Sequence, residues 1–246
     1  MNEIQSLARG LKILDLLGQA KDGMGITELA GLLEVDKGSA SRLMSTLVSY
    51  GYAERDDATR RYRLGPQVVS LSRSVLTRLP LREAAKPYLQ QLVERTGECA
   101  HLAVPAQGRV LYIDQVESAA TLRVNAQVGT INPMHCTALG KVLLAFGDLD
   151  LPAVLDGYTP NTITDPEQLR AHLRQVCQQG YALDDEELDH DVRCIAVPVF
   201  DFRDRAVGAV GISGPASRVT LERVPDMAAT LLEIGKSLSE RMKFTR

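Results

Sequence analysis

Residues 26–64, ITELAGLLEVDKGSASRLMSTLVSYGYAERDDATRRYRL, place two short amphipathic segments, a tight break and an arginine-rich hairpin in one continuous stretch. That order is the outline of a winged helix-turn-helix. Thr27 is expected to cap the first helix, with Ile26 and Ala30 stapling its start and Leu29, Ala30 and Leu33 forming its apolar face. Glu34 and Val35 read as the turn. Asp36 is then placed to cap a second helix whose buried stripe is Ala40, Leu43, Leu47 and Val48. Its opposite face carries Lys37, Ser39, Ser41, Arg42 and Ser45: small hydroxyls and two long cations near the end that enters a major groove without clashing. Taken alone, such a face is an ordinary solvated one. The basic hairpin beside it favours a DNA-reading face. Gly51 ends the helix, a strand is expected over 52–55, a turn over 56–59 and a return strand over 60–64, where Arg60, Arg61 and Arg63 suit phosphate contact. Double-stranded DNA is the expected partner.

The charge distribution agrees with this assignment. The chain has 246 residues and a formal net charge of −3, yet residues 36–78 carry eight Lys/Arg against four Asp/Glu, and residues from 80 onward seventeen against twenty-two. Basic charge therefore sits where the motif is. With 45% hydrophobic residues, two domains are expected; with 4% aromatics and no Trp, stacking on single-stranded nucleic acid is disfavoured. The N-terminal stretch MNEIQSLARGLKILDLL has acidic residues and no apolar run long enough for a signal peptide or membrane span, so a cytoplasmic protein without a membrane partner is expected. Cys99, Cys136, Cys177 and Cys194 form no CxxC pair and read as buried thiols.

Along the chain, residues 4–19 form an amphipathic helix striped by Leu7, Leu11, Leu14 and Leu17, which either completes the DNA-binding core or meets a second subunit. After Gly65-Pro66, a linker helix is expected through Val68, Leu71, Val75 and Leu79. A further helix around Leu81, Leu89, Leu92 and Val93 is expected to break or kink at Pro87 and to end at Gly97. Strands are expected over 99–104, 110–116, 122–124, 193–200 and 206–213, with helices from Ala138, over 166–179, and from a Thr220 cap to about Lys243. The mixture implies an α+β class, divided into residues 1–65, a linker helix over 66–79, and residues 80–246.

Several motifs in one order resemble the IclR-type bacterial transcription regulators: the segment 26–64 with YRLGP at 62–66, NPMHCTALGKVLLA at 132–145, GYALDDEELDHDVRCIAVPVFD at 180–201 and GISGPASR at 211–218. The resemblance spans essentially the whole chain. It implies a GAF-like effector-binding domain in the C-terminal half and a homodimer or dimer of dimers on operator DNA. It also implies effector contacts by the backbone of Ala138 and Leu139 and by Asp184, Val192, Cys194, Gly211 and Ser213. Gly211 stands where many relatives carry a small hydroxyl residue, so a less polar wall is expected there.

The sensor residues also have a direct physical reading. Thr137 precedes a helix whose unpaired N–H groups and positive end can receive a carboxylate, although an N-cap with Gly140 packing against a strand explains the same residues. Asp184 opens the run Asp184-Asp185-Glu186-Glu187, ordinarily a solvated loop; facing inward, it would accept a hydrogen bond from an effector hydroxyl and repel a second carboxylate. A small organic acid is the expected effector, with no cofactor and no metal. The alternatives use His135, Cys136, Asp184 and Cys194: metal sensing, thiol redox sensing through Cys136 and Cys194, or an enzyme. No HExxH, GxSxG, P-loop or dinucleotide fingerprint accompanies them, so no catalytic residue is assigned.

Overall fold

The structure is a computed structural model that describes residues 3–124 and 126–243. Residues 1–2 and 244–246, which end the two expected domains, and residue 125 lie outside the described residues. The chain divides into two compact units, Met1–Arg78 and Leu79–Arg246.

In the first unit, helices α1 (Gln5–Gln19), α2 (Ile26–Leu32) and α3 (Lys37–Ser49) pack around Ile13, Leu17, Met24, Leu29, Leu33 and Met44. The buried stripe of α3 is Ala40 and Met44, with Leu43 and Leu47 half-buried and Val48 exposed. Methionine, unbranched and adaptable, occupies the centre where the expected stripe passed it over. The cap of α2 is Gly25 and not Thr27: Thr27 is already inside the helix, and Glu28 reaches back to accept the Gly25 N–H at 3.4 Å. Asp36 caps α3 as expected, accepting the Ser39 N–H at 2.9 Å. Between α2 and α3, Glu34 takes a left-handed φ of 55°, while the Glu34 and Val35 N–H groups close onto Gly31 and Ala30 carbonyls.

The hairpin is shorter than its sequence pattern suggests, β1 (Ala53–Arg55) pairing with β2 (Tyr62–Leu64). Met24 and Tyr62 exchange backbone hydrogen bonds of 2.9 and 2.8 Å, so the segment before α2 adds a third edge to the wing. Helix α4 (Gln67–Leu76) closes the unit and buries none of its own residues, leaving Val69, Leu71 and Val75 exposed.

The second unit is a six-stranded antiparallel sheet in the order β5-β4-β3-β8-β7-β6. The strands are β3 (Cys99–Ala106), β4 (Arg109–Val116), β5 (Ile131–Asn132), β6 (Ala182–Asp185), β7 (Val192–Phe200) and β8 (Ala206–Pro215). Helices α5 (Pro80–Thr96) and α8 (Val224–Lys243) cover one face, and α6 (Ala138–Phe146) and α7 (Pro166–Gln179) the other. Alternation along β7 decides the split: Ala196 joins the cluster under α6 and α7, whereas Val197 lies against Gly235 of α8.

Several expected elements differ. Residues 122–124 are not a strand, and the short edge strand is Ile131–Asn132 instead. Helix α5 runs unbroken through Pro87, which sits on its exposed face, where the carbonyl lacking an N–H partner meets solvent. Helix α8 begins at Val224 and not after Thr220, whose carbonyl accepts the Arg223 and Val224 N–H groups in a preceding turn. Asp184 lies on strand β6 and not in a solvated loop. Cys177 is exposed, unlike the other three cysteines. Among the described residues, no helix is long and apolar enough to cross a membrane.

Candidate functional site

The first unit presents α3 and the wing. Lys37, Ser41, Arg42 and Ser45 are exposed on α3. Ser39 is half-buried and committed: its N–H and Oγ–H both donate to the Asp36 carboxylate, at 2.9 and 2.7 Å, while its Oγ accepts from Arg42 Nη2 at 3.0 Å. The hydrogen bonds from Ser39 hold the Asp36 carboxyl below its ordinary range. Ser39 therefore links the Asp36 cap to the Arg42 guanidinium and holds that guanidinium in place.

On the wing, Asp56 closes the turn by accepting the Ala58 and Thr59 N–H groups, and Arg60 holds a left-handed φ of 56° there. Arg60 and Arg63 are exposed. Arg61, whose side chain is 40% exposed, differs from Arg60 and Arg63 in having internal partners. Its guanidinium donates to the Gly23 carbonyl at 2.8 Å, the Asp22 carbonyl at 3.1 Å and the Glu28 carboxylate at 3.2 Å. It ties the wing to the start of α2. Arg55 extends over the Tyr62 ring at 5.8 Å, an additional exposed wing cation.

In the second unit, a cavity of about 210 Å³ lies between the sheet and the start of α6. Ala138, Leu139, Asp184, Val192, Cys194, Gly211 and Ser213 all line it, although they come from α6, β6, β7 and β8. Small side chains make the space: Cys194, Gly211 and Ser213 lie side by side on β7 and β8 opposite the helix end. A side chain at 211 would have its Cβ 2.6 Å from the Ile195 carbonyl oxygen, so close strand packing itself demands glycine there. Thr137 caps α6 by accepting the Gly140 N–H at 3.1 Å, and its carbonyl takes the Lys141 N–H. That leaves the Ala138 and Leu139 N–H groups without intrahelical partners at the cavity wall. Gly140 packs against the Met134 backbone, not against a strand, so closely that a side chain there would collide with the Met134 carbonyl oxygen.

The charge run 184–187 at the end of β6 is almost wholly committed to internal partners. Asp184 accepts the Glu187 N–H at 2.9 Å; Asp185 and Glu186 take the Arg193 guanidinium at 2.7 and 3.2 Å. The Glu187 carboxylate pairs with Lys141, which is fully buried and also bonds the Leu183 carbonyl. Thr159 and Thr162 hydroxyls donate to the Glu186 and Glu187 carbonyls, each at 2.6 Å. The loop that walls the cavity is thus anchored from three sides. Burial pushes the Asp184 carboxyl up to about 7, a rise that Lys141 and the Glu187 N–H only partly offset.

Sequence reasoning missed His101, Tyr112, Thr130, Asn132, Leu188 and Asp189, which also line the cavity. His101 is 2% exposed; its Nε2 lies 2.6 Å from Ser213 Oγ and its ring meets Tyr112 edge-on at 5.6 Å. Burial holds its pKa down at about 4, so the ring is neutral near pH 7. Nothing short of the β3–β8 register brings residue 101 to residue 213.

Cys136 and Cys194 do not have the environment of reactive thiols. Burial raises Cys136 to about 12 and Cys194 well above its ordinary value, nearby Asp184 adding to both shifts, whereas a reactive thiol needs a lowered pKa. Among the described residues, no three His, Cys, Asp or Glu side chains gather as a metal site would require. His135 bonds the Asp156 carbonyl at 2.9 Å, outside the lining of the cavity.

Comparison with known proteins gives matching results for both units. Residues 6–57 match the IclR helix-turn-helix domain, and residues 73–240 the bacterial transcriptional regulator IclR C-terminal domain. The chain is 34% identical to the HTH-type transcriptional regulator XynR of Escherichia coli K12, over 98% of each protein. An IclR transcriptional regulator from Alicyclobacillus acidocaldarius is similar in structure, with a TM-score of 0.82 at 29% identity over 97% of this chain and 99% of that one. An IclR homolog of Microbacterium hydrocarbonoxydans, crystallised with 4-hydroxybenzoate, shares the fold, with a TM-score of 0.81 at 23% identity over 97% of this chain and 99% of that one.

Proposed function

The chain belongs to the IclR family of bacterial transcriptional regulators, and on that basis we propose that it controls catabolic or transport genes in response to a small organic acid bound in the cavity of its second unit. The observation that carries the effector class is the pair of unpartnered N–H groups at Ala138 and Leu139, which open on the cavity at the positive end of α6. Among the described residues no Lys or Arg lines this cavity, and the acids Asp184 and Asp189 do. One ligand carboxylate is therefore accommodated at the helix end and a second is repelled. At about 210 Å³ the space lies below the ~300–1,000 Å³ of drug-sized sites, which suits a small acid carrying a hydroxyl, carbonyl or ring. The complex of the Microbacterium homolog with 4-hydroxybenzoate is in keeping with that class.

On DNA, Lys37, Ser41, Arg42 and Ser45 of α3 face the major groove, with Ser39 aiming Arg42, while Arg60 and Arg63 meet phosphates. A single recognition helix spans too few base pairs to specify a genomic site, so the protein acts in the cytoplasm as a symmetric dimer or dimer of dimers on a pseudo-palindrome. Leu7, Leu11 and Leu14 of α1 support the dimer: with Leu43, Leu47 and Leu71 they line an open apolar groove of about 740 Å³ within the first unit, which a second copy fills.

The effector assignment is tested with a thermal-shift screen of small organic acids followed by calorimetry of each hit. Leu139→Pro removes one N–H donor at the helix end and is expected to weaken binding about tenfold or more. Asp184→Ala is expected to change the order of preference among acids while DNA binding by the ligand-free protein persists. If an acid that releases the wild-type protein from DNA binds both variants unchanged, the ligand lies elsewhere.

A further inference from the structure

The cavity contains one polar pair, His101 and Ser213, of which the effector reading uses only Ser213. His101 stands directly opposite Gly211 in the β3–β8 register, so the wall that carries no side chain at 211 carries an imidazole beside it. Its Nε2 is hydrogen-bonded to Ser213 Oγ at 2.6 Å, and its Nδ1 is buried with no partner. The two possible tautomers are not equivalent. If Ser213 donated to Nε2, the proton would sit on Nδ1 as a buried N–H with nothing to receive it, the rarer and costlier of the two deficits. With the proton on Nε2, the ring donates to Ser213 Oγ and only a bare lone pair is left unmatched at Nδ1. Cationic His101 would keep the unreceived Nδ1–H and add a buried charge, and burial keeps the ring neutral.

The consequence falls on Ser213, which also lines the cavity and is 4% exposed. We propose that His101 is a positioning residue that occupies an acceptor lone pair of Ser213 and so commits the Ser213 hydroxyl to donate to the ligand, making the cavity selective for acids that carry an accepting oxygen, such as a 2-oxo group, there. The proposal rests on the reading that this cavity binds the organic acid. It sets Ser213 against Asp184, which lines the same cavity from β6 and, when ionised, is an acceptor only. While Asp184 is ionised, the two polar walls ask for opposite things from a ligand: an acceptor oxygen toward β8, a hydroxyl donor toward β6.

The test has two arms. Long-range proton–nitrogen correlation spectra of protein labelled with 15N-histidine, assigned by comparison with His101→Phe, read the tautomer directly in the ligand-free protein. Protonation at Nε2 is expected, and protonation at Nδ1 overturns the proposal. In the second arm, calorimetry compares matched pairs of acids: pyruvate with propionate, 2-oxobutyrate with butyrate, and benzoylformate with phenylacetate. The wild type is expected to favour the oxo member of each pair it binds by about tenfold, the value of one well-made hydrogen bond. His101→Phe and Ser213→Ala should each abolish that preference, the double variant should lose no more than either single one, and His101→Gln, whose amide can donate in the same place, should restore part of it. A merely structural role for His101 would lower affinity for both members of a pair equally, and that result also overturns the proposal. If no small acid binds the wild type at all, the effector reading fails, and the selectivity proposed for this pair fails with it; an intact effector reading with equal binding of oxo and deoxy acids removes only the role of His101.

Discussion

Asp184 shows how one buried residue carries a consequence for the whole protein. Its carboxyl is 2% exposed and titrates at about 7, against an ordinary value of 3.8, because burial outweighs the help from Lys141 and the Glu187 N–H. The folded protein therefore holds a proton that the unfolded chain gives up, and stability falls as pH rises from about 4 to about 7 through this group. Asp184→Asn keeps an oxygen for the Glu187 N–H and removes the charge. The variant is expected to melt level with the wild type at pH 4 and above it at pH 8, by at least ~2–4 °C, the effect of 1 kcal/mol in a domain of this size. Calorimetric scans across that range check the sign; a variant that melts below the wild type at pH 8 would show that ionised Asp184 is stabilising.

At the scale of the element, the recognition helix and the wing divide their tasks by how their cations are held. Arg42 is braced by Ser39, which is braced in turn by Asp36, so its guanidinium is ordered before DNA arrives. Arg42→Ala is expected to weaken binding to a selected duplex by about 1–3 kcal/mol and to change a random duplex little. Arg60→Ala and Arg63→Ala should instead weaken all duplexes and reduce the salt dependence by about one unit of slope each. Arg61→Ala should act chiefly on folding, since its bonds to Asp22, Gly23 and Glu28 pin the wing to α2. Anisotropy titrations at several salt concentrations, read beside melting curves, separate these cases. An Arg61→Ala protein that melts normally and loses phosphate affinity would return that residue to the DNA surface.

For the whole molecule, the division into two compact units makes regulation a question of linkage. If the acid changes DNA affinity by some factor, DNA must change acid affinity by the same factor. The dimer contacts proposed for α1 are the simplest place to break that coupling without touching either site. Leu7 and Leu11 are 60% and 55% exposed in the single chain. Leu7→Glu with Leu11→Glu is expected to yield monomers in sedimentation experiments, to lower affinity for a two-fold symmetric site at least tenfold, and to leave acid binding by the second unit intact. An unchanged oligomer would place the interface elsewhere.

How much of this was legible in the chain depends on the distance over which each feature is decided. The helices, the wing, the Asp36 and Thr137 caps and the helix-ending Gly97 come from side chains within a few residues of one another, where periodicity and capping act. The seven expected cavity residues came from motif resemblance, not from local physics, since nothing in a single chain shows that 138, 184, 194 and 213 line one cavity. The charge run at 184–187 looked like solvated surface because its partners, Arg193 across the β6–β7 hairpin and Lys141 on α6, are brought to it only by folding. Arg61 looked like its neighbours for the same reason, its acceptors lying near residues 22–28. His101 left no mark in the alternation of β3. Local sequence was enough to specify the elements and the sign of the charge each unit displays. Which polar groups are spent on one another, and which remain for a ligand, was set only on folding, because that depends on strand register and on removal from water, and neither exists until the sheet has closed under its helices.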